Sequence, residues 1–171
     1  ALRGLGDLRI ASKENSAVVL GPGIGRHHET MELVRRFVLS CDRPMVIDAD
    51  ALNAFEGHSE LLAQSKSHRV LTPHAGEFKR LTGEIAVSDL HGRIEQVIRW
   101  ARQLSSVLVL KGSPTLIACP TGECYLNPTG NNGMATGGSG DVLSGIIGSL
   151  MAQGISLEQA AIAGVYLHGL A

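Results

Sequence analysis

The chain has 171 residues, of which 44% are hydrophobic and 18% charged, with a formal net charge of −1. This is the composition of one folded domain with a real core, and it excludes a disordered chain. The near-neutral charge and an aromatic content of 4% argue against nucleic acid and an acidic membrane as partners, and no apolar run approaches the roughly 18 residues that cross a bilayer.

The opening stretch "ALRGLGDLRI" holds no apolar secretory core and no clear first strand. Cys41, Cys119 and Cys124 are odd in number and form no C-x-x-C pair. Neither a disulfide framework nor a zinc site is expected, and the reducing cytoplasm is the expected location. Short β-branched runs then alternate with longer amphipathic ones. "AVVLGPGIG" predicts a buried strand that ends in glycine turns. "ETMELVRRFVLS" predicts a helix with Leu33, Val34, Phe37 and Val38 on one face. "PMVIDADALN" and "RVLTPH" predict two further buried strands. "SDLHGRIEQVIRWARQL" predicts a helix capped by Ser88 or Asp89, with Leu90, Ile94, Val97, Ile98, Ala101 and Leu104 on one face. "SVLVLKG" predicts a fourth strand, and "TLIACPTGECYLN" a hairpin that turns at Thr121-Gly122. A glycine-rich segment and two helices close the chain, the last opening on Ser156 and Gln159 at capping-box spacing. Strand–helix alternation with apolar strands predicts an α/β fold, a mainly parallel sheet with helices on both faces and antiparallel strands toward one edge.

Ligands of open α/β sheets bind beyond the carboxyl ends of the strands. "GPGIG", "DADALN", "TPHAGE" and "KGSPT" all fall at such ends, which points to one shared site. The glycine segment "NNGMATGGSGDVLSG" runs straight into an apolar stripe of Val142, Leu143, Ile146, Ile147, Leu150 and Met151, so a helix is expected to start close to Gly140. Gly145 and Gly148 would allow that helix to pack closely on the sheet. Glycines before a helix N-terminus let a backbone with free N–H groups approach an anion, and Asp141 would sit at its rim. On residues alone, a plain turn with Asp141 on the helix dipole is an equal reading. The segment is neither a Walker A loop nor a nucleophile elbow, and "GPGIGR" puts Arg26 where the dinucleotide fingerprint needs glycine.

Taken in order, "GPGIG", "DADALN", "TPHAGEF", "KGSPT" and "NGMATGGSGD" resemble the NAD(P)H-hydrate dehydratases of the ribokinase-like superfamily, over residues 17 to 171. The resemblance implies a single ribokinase-like domain over 1–171, the C-terminal two-thirds of a longer domain that carries part of the substrate site upstream. It implies ADP-dependent dehydration of S-configured NADH hydrate or NADPH hydrate to the intact cofactor, with release of AMP and phosphate, and with Mg²⁺ accompanying the nucleotide. By the same resemblance Asp141 is the catalytic-region aspartate, which a hydroxyl's proton would reach. Gly138, Ser139 and Gly140 supply an anion hole. Lys111, Gly112, Ser113, Pro114 and Thr115, with Gly140, bind the adenine nucleotide. Gly23, Gly25, Asn53, His74 and Asp141 contact the substrate. No metal ligand is assigned, although Glu77 is a weak candidate. Asp48 and Asp50 form a carboxylate pair of the kind that can hold Mg²⁺, without a visible third ligand. Ser139 stands where many members have Thr. A homo-oligomer and an upstream epimerase domain are expected partners. Two other readings stay open: a ribokinase-like kinase of a vitamin-precursor hydroxyl, and a non-catalytic nucleotide-binding module.

Overall fold

The computed structural model describes residues 2–65, 67–131, 134 and 136–171. Asn132, Gly133 and Ala135 of the glycine segment lie outside the described residues. The elements in chain order are α1 (Leu2–Lys13), β1 (Val18–Leu20), α2 (His28–Ser40), β2 (Met45–Ile47), α3 (Ala49–Asn53), α4 (Glu60–Gln64), β3 (Arg69–Leu71), α5 (Ala75–Thr82), α6 (Leu90–Gln103), β4 (Val107–Leu110), β5 (Thr115–Ala118), β6 (Cys124–Asn127), α7 (Ser139–Ala152) and α8 (Leu157–Leu170).

The strands form one sheet in the order β1-β2-β3-β4-β5-β6. The first four are parallel and the last two antiparallel. Alternate strand residues point to opposite faces and divide the core in two. Met45, Ile47, Leu71, Leu108 and Leu110 pack with α2, α3, α5 and α6. Val46, Val70, Val107, Val109 and Ile117 pack with Leu143, Ile147, Met151, Ala160 and Val165 of α7 and α8. The topology explains this division. Crossovers between parallel strands are right-handed, so strands added in one direction place their crossover helices on one face. The other face is covered only because the chain reverses through the β5–β6 hairpin and returns as α7 and α8.

Several expectations are corrected. The strand read across "PMVIDADALN" stops at Ile47 and gives way to helix α3. Asp48 is still extended, but Ala49 takes a left-handed φ of 48° that ends the ladder. The opening stretch is helix α1, which buries Leu5 against the α2 side of the core. Within α7, Val142 is 58% exposed and falls outside the buried stripe. Gly148 packs on the sheet as expected, since a Cβ there would lie 2.2 Å from Val19 Cγ2, whereas Gly145 faces open space. Asp89 rather than Ser88 caps α6, accepting the Gly92 N–H at 2.8 Å. The turn expected at Thr121-Gly122 closes the hairpin, with Gly122 at φ 116° donating to the Cys119 carbonyl.

Candidate active site

Each strand of the parallel set ends in a turn at the same edge of the sheet. After β2, Asp48 occupies the N-cap position of α3 without making a side-chain cap bond. Its carboxylate instead reaches across the sheet. Asp48 Oδ1 accepts from Lys111 Nζ at 2.9 Å, and Oδ2 accepts from Ser144 Oγ of α7 at 2.6 Å. Lys111 follows β4, where it pairs with His74 in an isolated parallel bridge. Its ammonium also lies 3.7 Å from Glu77 Oε2. With side-chain exposure of 21% for Lys111, 1% for Asp48 and 7% for Glu77, this lysine is a held cation between two buried carboxylates, not a solvated one. Such charges stay ionised inside a fold only when paired and hydrogen-bonded.

His74 caps α5. Its Nδ1 accepts the N–H groups of Gly76 and Glu77 at 3.0 and 3.3 Å, and Glu77 Oε2 accepts the His74 N–H at 2.8 Å, a reciprocal capping box. With Nδ1 accepting, the proton of the neutral ring sits on Nε2, at the half-exposed outer end of the side chain. Gly76 makes room for the ring, since a Cβ there would lie 2.9 Å from His74 Cε1.

The GPGIG turn after β1 is tied to the second carboxylate of the D-A-D stretch. Asp50 Oδ2 accepts the Gly25 N–H at 3.1 Å and Oδ1 accepts from Arg26 Nε at 3.2 Å. Gly21 is wedged against the same stretch, because a Cβ on it would lie 1.8 Å from the Asp48 carbonyl oxygen. Gly23 and Gly25 have φ of 71° and 76° and face open space. Asn53 is occupied at both ends: Oδ1 accepts from Arg80 Nε at 2.6 Å and Nδ2 donates to the Ala49 carbonyl at 3.2 Å.

The loop after Lys111 is closed by Thr115, whose Oγ1 donates to the Gly112 carbonyl at 3.0 Å and receives the Gly112 N–H at 3.4 Å. Gly112 and Ser113 are exposed, and the Ser113-Pro114 peptide is cis. Gly138 caps α7 in the left-handed conformation, with φ 89°. The Ser139 N–H is directed to the Thr136 carbonyl at 3.3 Å, while its hydroxyl pairs with His168 Nε2 at 3.2 Å. Among the described residues, no acceptor meets the N–H of Gly140 or Asp141. These are the orphan donors of a helix N-terminus. Gly140 lies directly over the held lysine, since its Cβ would come 3.2 Å from Lys111 Nζ. Asp141 is exposed at the rim of the same turn.

The structure therefore gathers Lys111, Gly140, Glu77 and His74 around adjoining strand ends. Gly25 is tied to α3 through Asp50, Gly23 faces open space in the same turn, and Thr115 serves its own loop. Sequence reasoning overlooked Ser144, for which a buried serine inside an apolar helical stripe was the only sign. It also overlooked the N–H of Asp141 itself. A depression of about 720 Å³ beside α5, lined by Glu56, Lys79, Arg80 and Gly83 among others, shares only Gly76 with these turns. Among the described residues, no three His, Cys, Asp or Glu side chains form a metal-binding group, and no helix is long and apolar enough to cross a membrane.

Known proteins resemble this chain in sequence and in fold. The chain is 46% identical over 158 residues to the bifunctional NAD(P)H-hydrate repair enzyme of Moorella thermoacetica, covering 92% of this chain and 30% of that protein. It is 42% identical over 159 residues to the ADP-dependent (S)-NAD(P)H-hydrate dehydratase of Neisseria meningitidis, covering 91% of this chain and 54% of the relative. The chain thus spans between about a third and about half of these relatives. The ADP/ATP-dependent NAD(P)H-hydrate dehydratase of Bacillus subtilis, crystallised with ATP and Mg²⁺, superposes with a TM-score of 0.78 at 37% identity, over 95% of this chain and 60% of that one. A ribokinase from Arabidopsis thaliana, at 18% identity and a TM-score of 0.66, shares the fold and so places it as ribokinase-like. A family model described as NAD(P)H-hydrate dehydratase matches residues 6–171, and the chain belongs to that family.

Proposed function

We propose that this chain carries the phosphoryl-transfer part of an enzyme that uses ADP to dehydrate S-configured NADH or NADPH hydrate. One observation carries the reading. The free N–H groups of Gly140 and Asp141 open a helix whose Gly140 lies over the held ammonium of Lys111, and Asp141 is exposed at the same turn. Such a terminus offers N–H donors and partial positive charge to a phosphoryl group. Lys111 adds a full charge, and Asp141 supplies a base for the attacking hydroxyl. Phosphoryl transfer asks little more of a protein than positioning and charge stabilisation.

The reaction then proceeds in two steps. The hydrate hydroxyl attacks the terminal phosphorus of ADP, its proton passes to Asp141, and AMP leaves. The ring nitrogen's lone pair next expels the new phosphate group, the carbon–oxygen bond breaks, and the loss of a ring proton restores the double bond. Phosphorylation is needed because hydroxide is a poor leaving group. The Lys111–Thr115 loop binds the nucleotide. Gly23, Gly25 and the Nε2 end of His74 face the dinucleotide. The side chain of Asn53 acts through Arg80 and α3. With the Ser139 N–H already engaged, the anion hole is formed by Gly140 and Asp141, with Gly138 shaping the turn.

Nucleotide-bound Mg²⁺ fits these residues, because such an ion needs one or two carboxylates and takes its other ligands from phosphates and water. Glu77 Oε1, whose partner among the described residues is the His74 ring at 3.5 Å, is the oxygen that would hold it. The ion would neutralise charge on the phosphates. An epimerase domain on the same polypeptide, suggested by the word bifunctional in the relative's name, and a cytoplasmic location, suggested by three free cysteines, complete the reading. Incubating the full-length protein with ADP and S-configured NADH hydrate tests it. Dihydronicotinamide absorbance should return with stoichiometric AMP and inorganic phosphate. A stable phosphate ester instead would identify a kinase, and no reaction with retained ADP binding a non-catalytic module.

A further inference from the structure

Asp48 makes an unusual choice of partners. An Asp at a helix N-cap ordinarily accepts the N–H two or three residues on. Asp48 forgoes that bond, although its backbone occupies the position. Both of its oxygens go to residues distant in sequence: Lys111 Nζ at 2.9 Å and Ser144 Oγ at 2.6 Å. The backbone that carries this side chain is constrained. Ala49 is left-handed at φ 48°, and Gly21 presses against the Asp48 carbonyl. Ser144 is fully buried and lies three residues after Asp141 and four after Gly140, so it shares their face of α7. One carboxylate thus grips the lysine with one oxygen and, with the other, the helix whose first turn carries the free amides.

We propose that Asp48 is a positioning residue of the phosphoryl-transfer step, with Ser144 as its contact on α7. Together they fix the Lys111 ammonium and the Gly140–Asp141 turn at a set separation. Phosphoryl transfer between two substrates tolerates little error in that separation, and a misplacement of about 1 Å can cost on the order of 10²-fold in rate. The first carboxylate of the D-A-D motif thus positions the charge-stabilising groups, and the second holds the GPGIG turn. The link to catalysis rests on the function proposed above, while the tie itself does not.

The test uses Ser144→Ala in the full chain, a variant that leaves the Asp48–Lys111 pair in place, with Asp48→Asn as the second variant. Three quantities are read: hydrogen exchange in α7 and α8, ADP affinity by calorimetry, and steady-state kcat and KM. For Ser144→Ala, exchange should rise in the first half of α7 and stay unchanged in α8. ADP affinity should stay within about threefold, and kcat should fall at least roughly tenfold and up to about 10²-fold with little change in KM. Asp48→Asn should add a loss of ADP affinity by freeing Lys111. Unchanged exchange in α7 overturns the tie, and faster exchange with wild-type kcat overturns its catalytic purpose. A rise spread evenly over α7 and α8 also overturns it, because general destabilisation would then suffice. If the wild type shows no turnover of the hydrate, the functional reading fails, and the exchange in α7 alone still decides whether Asp48 and Ser144 form the tie.

Discussion

The two carboxylates of the D-A-D stretch are two residues apart and live in different molecules, physically speaking. Asp48 is 1% exposed and held by Lys111 and Ser144. Asp50 is 28% exposed, and its partner Arg26 is 56% exposed. The regions around them differ in the same way. On the Asp48 side, β2, β3 and β4 are central strands, buried on both faces, and the first turn of α7 lies over Lys111 at the end of β4. On the Asp50 side, β1 is an edge strand whose Val19 is 41% exposed, and a groove of about 270 Å³ runs between it and α1, lined by Leu8, Ala11, Val18 and Phe37 among others. The turns around Asp48 are closed on one another, whereas Gly23 and Gly25 face open space. On the function proposed above, rigid preorganisation would fall where charge develops, and open backbone where a large dinucleotide enters.

That contrast can be broken by substitution. The largest stability effect is expected from Lys111→Ala, which strands Asp48 and Glu77 as buried carboxylates without their cation. Breaking a buried pair in this way costs about 3 kcal/mol, measurable by urea unfolding, and ADP affinity should fall with it. Gly21→Ala comes next. Its Cβ would collide with the Asp48 carbonyl at 1.8 Å in a backbone of φ 138°, so a loss of about 2–3 kcal/mol is expected. Gly23→Ala faces open space and pays only for its left-handed backbone, about 1–2 kcal/mol. Equal losses for the two glycines would erase the distinction between the closed and open sides. The smallest effect belongs to Asp50→Asn. Its exposed pair is worth about 1 kcal/mol or less, and high salt should shrink the difference. The kinetic signature should be a raised KM for the hydrate at nearly constant kcat, because the Gly25 turn loosens while the α7 turn does not.

The sheet was legible because buried parallel strands are continuous apolar runs, and "MVI", "RVL" and "VLVL" carry that pattern plainly. The boundary at Ile47 was not, because a single left-handed Ala49 ended the strand, and nothing in an alanine announces that conformation. Helix α1 was missed because Gly4 and Gly6 dilute its apolar stripe; it is held by packing, with Gly4 set against Leu33 of α2. Val142 was placed in the core by its position in the apolar stripe, but α7 buries a narrower stripe that begins at Leu143. At the site, the motif positions at the strand ends were readable. The partners were not. Ser144 bonds to a residue 96 positions away, and Lys111 to one 63 positions away, and no local periodicity encodes contacts made only when the sheet assembles. His74, expected as a substrate contact, also caps α5 in a capping box with Glu77, and its Nε2 lies 3.5 Å from Glu77 Oε1.

The central claim is that the α7 turn performs chemistry and does not merely start a helix. Asp141→Asn tests it most directly, since Asn caps a helix about as well as Asp but cannot take a proton. Turnover of S-configured NADH hydrate with ADP should be followed alongside ADP affinity and thermal unfolding. The account predicts a fall in kcat of about 10²–10⁴-fold, with ADP affinity unchanged or slightly raised and stability within about 1 kcal/mol of wild type. A stable Asp141→Asn protein that turns over the hydrate at the wild-type rate would contradict it.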